Sequence, residues 1–75
     1  MQNNKKKADR QDAIKMIISS QEIGSQEELL QALAQEGFGL TQATLSRDLK
    51  QLKVAKAANV HGRYVYVLPN DVLYK

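Results

Sequence analysis

Residues 41–52, TQATLSRDLKQL, limit what this chain can fold into more than any other stretch. Read as a helix at about 100° per residue, they set Leu45, Leu49 and Leu52 on one face. Ala43, Arg47 and Lys50 fall on the opposite side, flanked by Ser46, Thr44 and Gln51. One face can be buried while the other stays small, hydrogen-bonding and cationic. An ordinary solvated helix more often mixes Glu with Lys on its outer face. This one has a single acid, Asp48, beside the leucines, where it reads as a structural partner for a basic side chain.

At 75 residues the chain has room for one core and therefore one domain. A domain this small buries only about 60% of its unfolded surface, so its stability margin is narrow. A hydrophobic content of 43% argues against wholesale disorder. With no cysteine, neither a disulfide framework nor a thiolate metal site can form, and a reducing cytosol suits it. Lys5, Lys6 and Lys7 resemble the basic start of a signal peptide, but no apolar run follows them. No stretch approaches the roughly 20 apolar residues of a membrane span. A cytoplasmic location is expected.

Charge is segregated along the chain. Residues 1–15 hold five basic side chains and two acids, residues 16–46 hold four glutamates and no Lys or Arg, and residues 47–66 hold five basic side chains and one acid. That pattern fits a protein with one surface turned to a polyanion, although small basic proteins are common.

Three helices and a hairpin are predicted. Residues 1–7 read as a basic, solvated arm, and residues 8–20 as a first helix with Ala13, Ile14, Ile17 and Ile18 on one side. Ser25 and Glu28 form a capping box that opens a second helix, which runs to about Glu36 and buries Leu29, Leu30 and Leu33. Gly37 ends it in a left-handed conformation. Thr41 caps the third helix, residues 42–52, and Leu40 and Leu45 stand at the positions of a hydrophobic staple. Two short helices joined by so tight a turn make a helix-turn-helix. The hydrophobic period then changes to two: residues 54–58 and 63–68 read as strands around a turn at 59–62, and Pro69 stops the second. On that second strand Tyr64, Tyr66 and Leu68 are preferred as the inward face, with Val65 and Val67 the alternative. The fold expected is mainly α with a small β-hairpin, a winged helix-turn-helix of three helices plus wing.

The string TQATLSRDL at 41–49, with QEEL at 26–29 upstream and the segment 62–69 downstream, closely resembles the N-terminal DNA-binding domain of bacterial arginine repressors. The resemblance covers residues 8–69. It implies a winged helix that binds palindromic operators near genes of arginine metabolism, and thereby transcriptional repression. It also implies an L-arginine co-repressor and a hexamer, both belonging to a separate C-terminal domain. Residues 70–75 would then begin the linker to that domain. No residue here is therefore assigned to arginine or to hexamer contacts, and the chain alone is expected to be a weakly binding monomer.

The mechanism can be expected residue by residue. The planar fork of Arg47 matches guanine O6 and N7 in the major groove, with a phosphate contact or a pair with an acid as the alternative. Ser46 and Thr44 are small enough to let the helix approach, and both can donate to base or phosphate. Ala43 either touches a thymine methyl or only relieves crowding, and Gln42 either reads adenine or is solvated. Lys50, Lys53 and Lys56 fit phosphates, which set affinity and register without reading sequence. Ser25 and Gln26 offer helix N-terminal amides to a phosphate, against the opposition of Glu27 and Glu28. Arg63 and His61 on the wing face backbone or minor groove, and a solvated loop histidine is the plain alternative for His61. Catalysis finds little support: no base assists Ser46, and there is no phosphate-binding glycine loop and no metal-ligand cluster. The competing classes are a winged-helix protein-interaction module and a DNA-binding domain of another regulator family.

Overall fold

The structure, a computed structural model, describes residues 7–69. The expected arm (apart from Lys7) and the expected linker of 70–75 lie outside them. The elements run α1 (Lys7–Ser20), α2 (Gln26–Gln35), α3 (Gln42–Gln51), β1 (Ala55–Ala58) and β2 (Tyr64–Val67). Lys7, expected in the arm, is the first residue of α1.

Each helix boundary has a local cause. Ser25, in an extended conformation, accepts the Glu28 amide at 3.2 Å and starts α2. Thr41 accepts the Thr44 amide at 3.2 Å and starts α3. Helix α2 ends with the Phe38 amide on the Leu33 carbonyl and the Gly37 amide on the Ala34 carbonyl. This double bond needs a left-handed residue at its corner, which Gly37 supplies with φ 92°. Helix α3 ends in the same way, Val54 on Leu49 and Lys53 on Lys50, but here a lysine occupies the corner with φ 58°. Val54, expected in the first strand, instead belongs to this helix stop, because its amide is already engaged by Leu49.

The core lies where the three helices meet. Ile14, Ile17 and Ile18 of α1, Ile23 of the connector, Leu29 and Leu33 of α2, and Leu45 and Leu49 of α3 form one buried cluster. Leu30, Phe38, Leu40, Leu52, Val54, Tyr66 and Leu68 are half-buried against it. The leucine face expected of residues 41–52 is thus the face that is buried, and both staple residues reach the core.

β1 and β2 pair antiparallel, with Ala55 opposite Val67 and Ala58 opposite Tyr64. In the loop between them the Asn59 carboxamide oxygen accepts the His61 and Arg63 amides, a side-chain turn that holds the hairpin closed. The Tyr66 amide donates to the Ile23 carbonyl at 2.8 Å, which stitches the outer edge of β2 to the α1–α2 connector. The inward preference for β2 needs one correction. Tyr66 and Leu68 pack on the helical core, but Tyr64 is 64% exposed. It stands opposite Ala58 at the loop end of the hairpin, where its backbone lies against Gly24 and its side chain is left to solvent, while Val65 is buried outside the main cluster.

Candidate nucleic-acid interface

Docking of α3 by its leucines leaves Gln42, Ala43, Arg47 and Lys50 exposed along its outer side. Arg47 has no hydrogen-bond or ion-pair partner among the described residues. The acid next to it in sequence explains why. Asp48 is 2% exposed and turned to α1, where the Arg10 guanidinium bonds both carboxylate oxygens, Nε to Oδ2 and Nη2 to Oδ1 at 2.9 Å. The Gln11 amide donates to the same carboxylate at 3.2 Å and to the Gln51 side chain at 2.9 Å. Burial by itself would raise the Asp48 pKa; the bonds from Arg10 and Gln11 outweigh it and hold the carboxyl below its ordinary value. The expected structural role of Asp48 therefore has a named partner, and the outer face of α3 carries positive charge only.

Thr44 and Ser46 are half-buried rather than fully presented. The Thr44 hydroxyl accepts from that of Thr41 at 3.1 Å. The Ser46 hydroxyl exchanges hydrogen bonds with the Gln26 carboxamide at 3.1 and 3.3 Å. Two expected contact residues, one on each helix of the helix-turn-helix, thus brace each other. Ser25 serves the helix cap. Lys50, Lys53 and Lys56 are exposed, and the Lys56 ammonium lies 5.2 Å from the centre of the Tyr66 ring, its cross-strand partner.

On the wing His61 is exposed, but Arg63 is engaged. Its guanidinium bonds Glu28 at 3.1 and 3.2 Å and lies 4.0 Å from Glu22. Glu28 also accepts the Gly24 amide at 2.7 Å, and these bonds, that of Gly24 foremost, hold its carboxyl below the ordinary value. The Glu28 side chain of the capping box thus reaches back to Gly24 and is shared with the wing. A Cβ at Gly24 would meet the Tyr64 carbonyl oxygen at 3.1 Å, so the hairpin lies directly on this connector.

The residues not anticipated were Arg10, Gln11 and Gly24. Arg10 had a sequence signal: it continues the stripe of Ile14 and Ile17 at spacings of four and seven, an arginine in a core-facing position. Gly24 had none, since the close approach involves a strand 40 residues away.

Three helices, a tight turn, an exposed basic third helix and a following hairpin define a winged helix-turn-helix of the DNA-binding kind. Residues 5–73 match the family described as "Arginine repressor, DNA binding domain", and the chain belongs to that family. It is 83% identical over 71 residues to an arginine repressor of Bacteroides fragilis and 79% identical to one of Bacteroides thetaiotaomicron. Over 63 residues it is 51% identical to an arginine repressor of Thermus thermophilus. These alignments cover 95%, 95% and 84% of this chain but 45%, 45% and 38% of the relatives, so the chain spans less than half of each. The family is one of DNA-binding regulators, in line with the expectation that the chain is not an enzyme. Among the described residues no helix is long and apolar enough to cross a membrane.

Proposed function

We propose that this domain binds double-stranded operator DNA sequence-specifically in arginine-dependent repression of arginine metabolism, with α3 in the major groove and the wing on backbone or minor groove. One observation carries the reading: the only acid of α3 is buried on Arg10, while Arg47 and Lys50 face outward with no partner among the described residues. Arg47 is assigned to base readout, with Gln42 and Ala43 beside it. Ser46 and Thr44 let the helix approach, Ser46 acting together with Gln26. Lys50, Lys53 and Lys56 are assigned to phosphates, and Ser25 to a helix N-terminal contact. His61 and Arg63 border the DNA from the wing, Arg63 first as the wing's anchor.

In an arginine repressor of full length, L-arginine and the hexamer contacts are assigned to a C-terminal domain and to no residue described above. Taken by itself, the domain is proposed to bind as a monomer and weakly, because paired half-sites need a second domain held at fixed spacing, and a cytoplasmic location is proposed.

Titration with random duplex and then with duplexes selected from a random pool tests this. Random duplex is expected to bind with a Kd of about 10⁻⁴–10⁻⁶ M and a steep salt dependence, and one class of selected sites more tightly. Absence of binding to random duplex at low salt overturns the reading. Selected sites unrelated to arginine genes would move the domain to another regulator.

A further inference from the structure

We propose that Arg10 is a positioning residue for DNA recognition: through its ion pair with Asp48, α1 sets the roll of α3 about its own axis. The proposal rests on the DNA-binding reading above. Leu45 and Leu49 hold α3 on the core, but apolar contacts are non-directional and tolerate rotation. The guanidinium–carboxylate fork is directional, since each of its two bonds weakens when either plane turns. Gln11 adds a second strut one helical turn along, joining Asp48 and Gln51. Both struts leave α1 from positions that continue its apolar stripe: the Arg10 pair is closed over the buried Asp48, and the Gln11–Gln51 bond lies at the exposed edge of the α1–α3 contact.

The consequence falls on Arg47. Side-chain tips stand roughly 5–6 Å from a helix axis, so a roll of about 20° displaces them by roughly 2 Å. A paired contact to one base edge does not survive that displacement, because hydrogen bonds fail beyond a few tenths of an ångström of stretch. Contacts to phosphates, made by long flexible lysines, do survive it. Loss of the Arg10 pair should therefore blunt sequence discrimination and leave sequence-independent affinity in place. The Arg10 charge itself is satisfied within the fold, so it is not available to a phosphate.

The test compares the wild-type chain, Arg10→Gln, and the double variant Arg10→Met with Asp48→Leu, on a selected duplex and on random duplex over a range of salt. The double variant replaces the pair by apolar groups, which often preserves stability, and thermal unfolding shows whether it is folded. In both variants the ratio of selected to random affinity is expected to fall about tenfold, the size of one lost base contact. The slope of log affinity against log salt should not change. A folded double variant with wild-type discrimination overturns the proposal, because packing alone would then set α3. A slope reduced by about one in Arg10→Gln also overturns it, making Arg10 a phosphate contact. Failure of the wild-type chain to bind any duplex is a different result, seen before any substitution, and it removes the DNA-binding reading itself.

Discussion

The Arg63 guanidinium bonds both carboxylate oxygens of Glu28, at 3.2 and 3.1 Å, and so fastens the wing to the first turn of α2. Glu28 meanwhile holds the Gly24 amide, and Gly24 lies under the Tyr64 carbonyl. One carboxylate thus ties together a helix cap, a connector and a hairpin. Arg63→Ala is expected to loosen the wing and lower operator affinity several-fold, with little change in the salt slope. A slope reduced by about one would show that Arg63 leaves Glu28 for a phosphate when DNA is bound.

Arg47 is exposed and has no partner among the described residues, the state required of a side chain held ready for a base. Arg47→Ala should cost about 1–3 kcal/mol on a selected site and relax preference at one position. Titration against a panel of single-position duplex variants checks this. Uniform weakening on selected and random DNA would make Arg47 a phosphate contact.

Lys53 sits in left-handed backbone at φ 58°, in the corner position that Gly37 fills at the end of α2. A side chain there costs about 1–2 kcal/mol, against a glycine penalty of about 0.5–1 kcal/mol in the unfolded chain. Lys53→Gly is therefore expected to stabilise the domain by up to about 1.5 kcal/mol, seen as a higher Tm, and also to lower the salt slope of DNA binding by about one. Gain in stability and loss of a phosphate contact would occur in the same variant.

Acid should unfold the domain partly through Asp48. Its folded pKa lies below the ordinary value of 3.8, so the stability it contributes is present above that value. That contribution is lost as the pH falls from about 4 through the depressed folded value. Glu28 acts in the same direction from its ordinary 4.5 downward. Denaturant midpoints measured between pH 6 and 2 should fall with acid in the wild type and more shallowly in Asp48→Asn. Equal slopes in the two proteins would show that the pair contributes no pH dependence.

The helices were legible because their causes are local. Ser25 and Thr41 meet amides three residues away, Gly37 turns the chain at its own position, and the spacing of Leu45 and Leu49 needs only the period of a helix. The strand pattern was legible for the same reason, yet its depth was not. Whether Tyr64 or Tyr66 packs inward depends on where the hairpin meets the helical core, which no alternation of residues encodes. Val54 falls outside the strand because a helix stop and a strand start compete for one amide, and the stop holds it. Of the candidate contact residues, the exposed set of Gln42, Ala43, Arg47 and Lys50 followed from helical periodicity, whereas the bracing of Ser46 by Gln26 did not.

By itself, then, the sequence determined the helix-turn-helix, its caps, its buried leucines and the cationic outer face of α3. Those features arise from interactions within a few residues or from a repeating period. Only the tertiary structure decided which charges cancel and which remain: Asp48 with Arg10 across 38 residues, and Glu28 with Arg63 across 35. Such pairs depend on the docking of elements whose separation in the chain carries no distance information, and the same docking leaves Arg47 without a partner among the described residues.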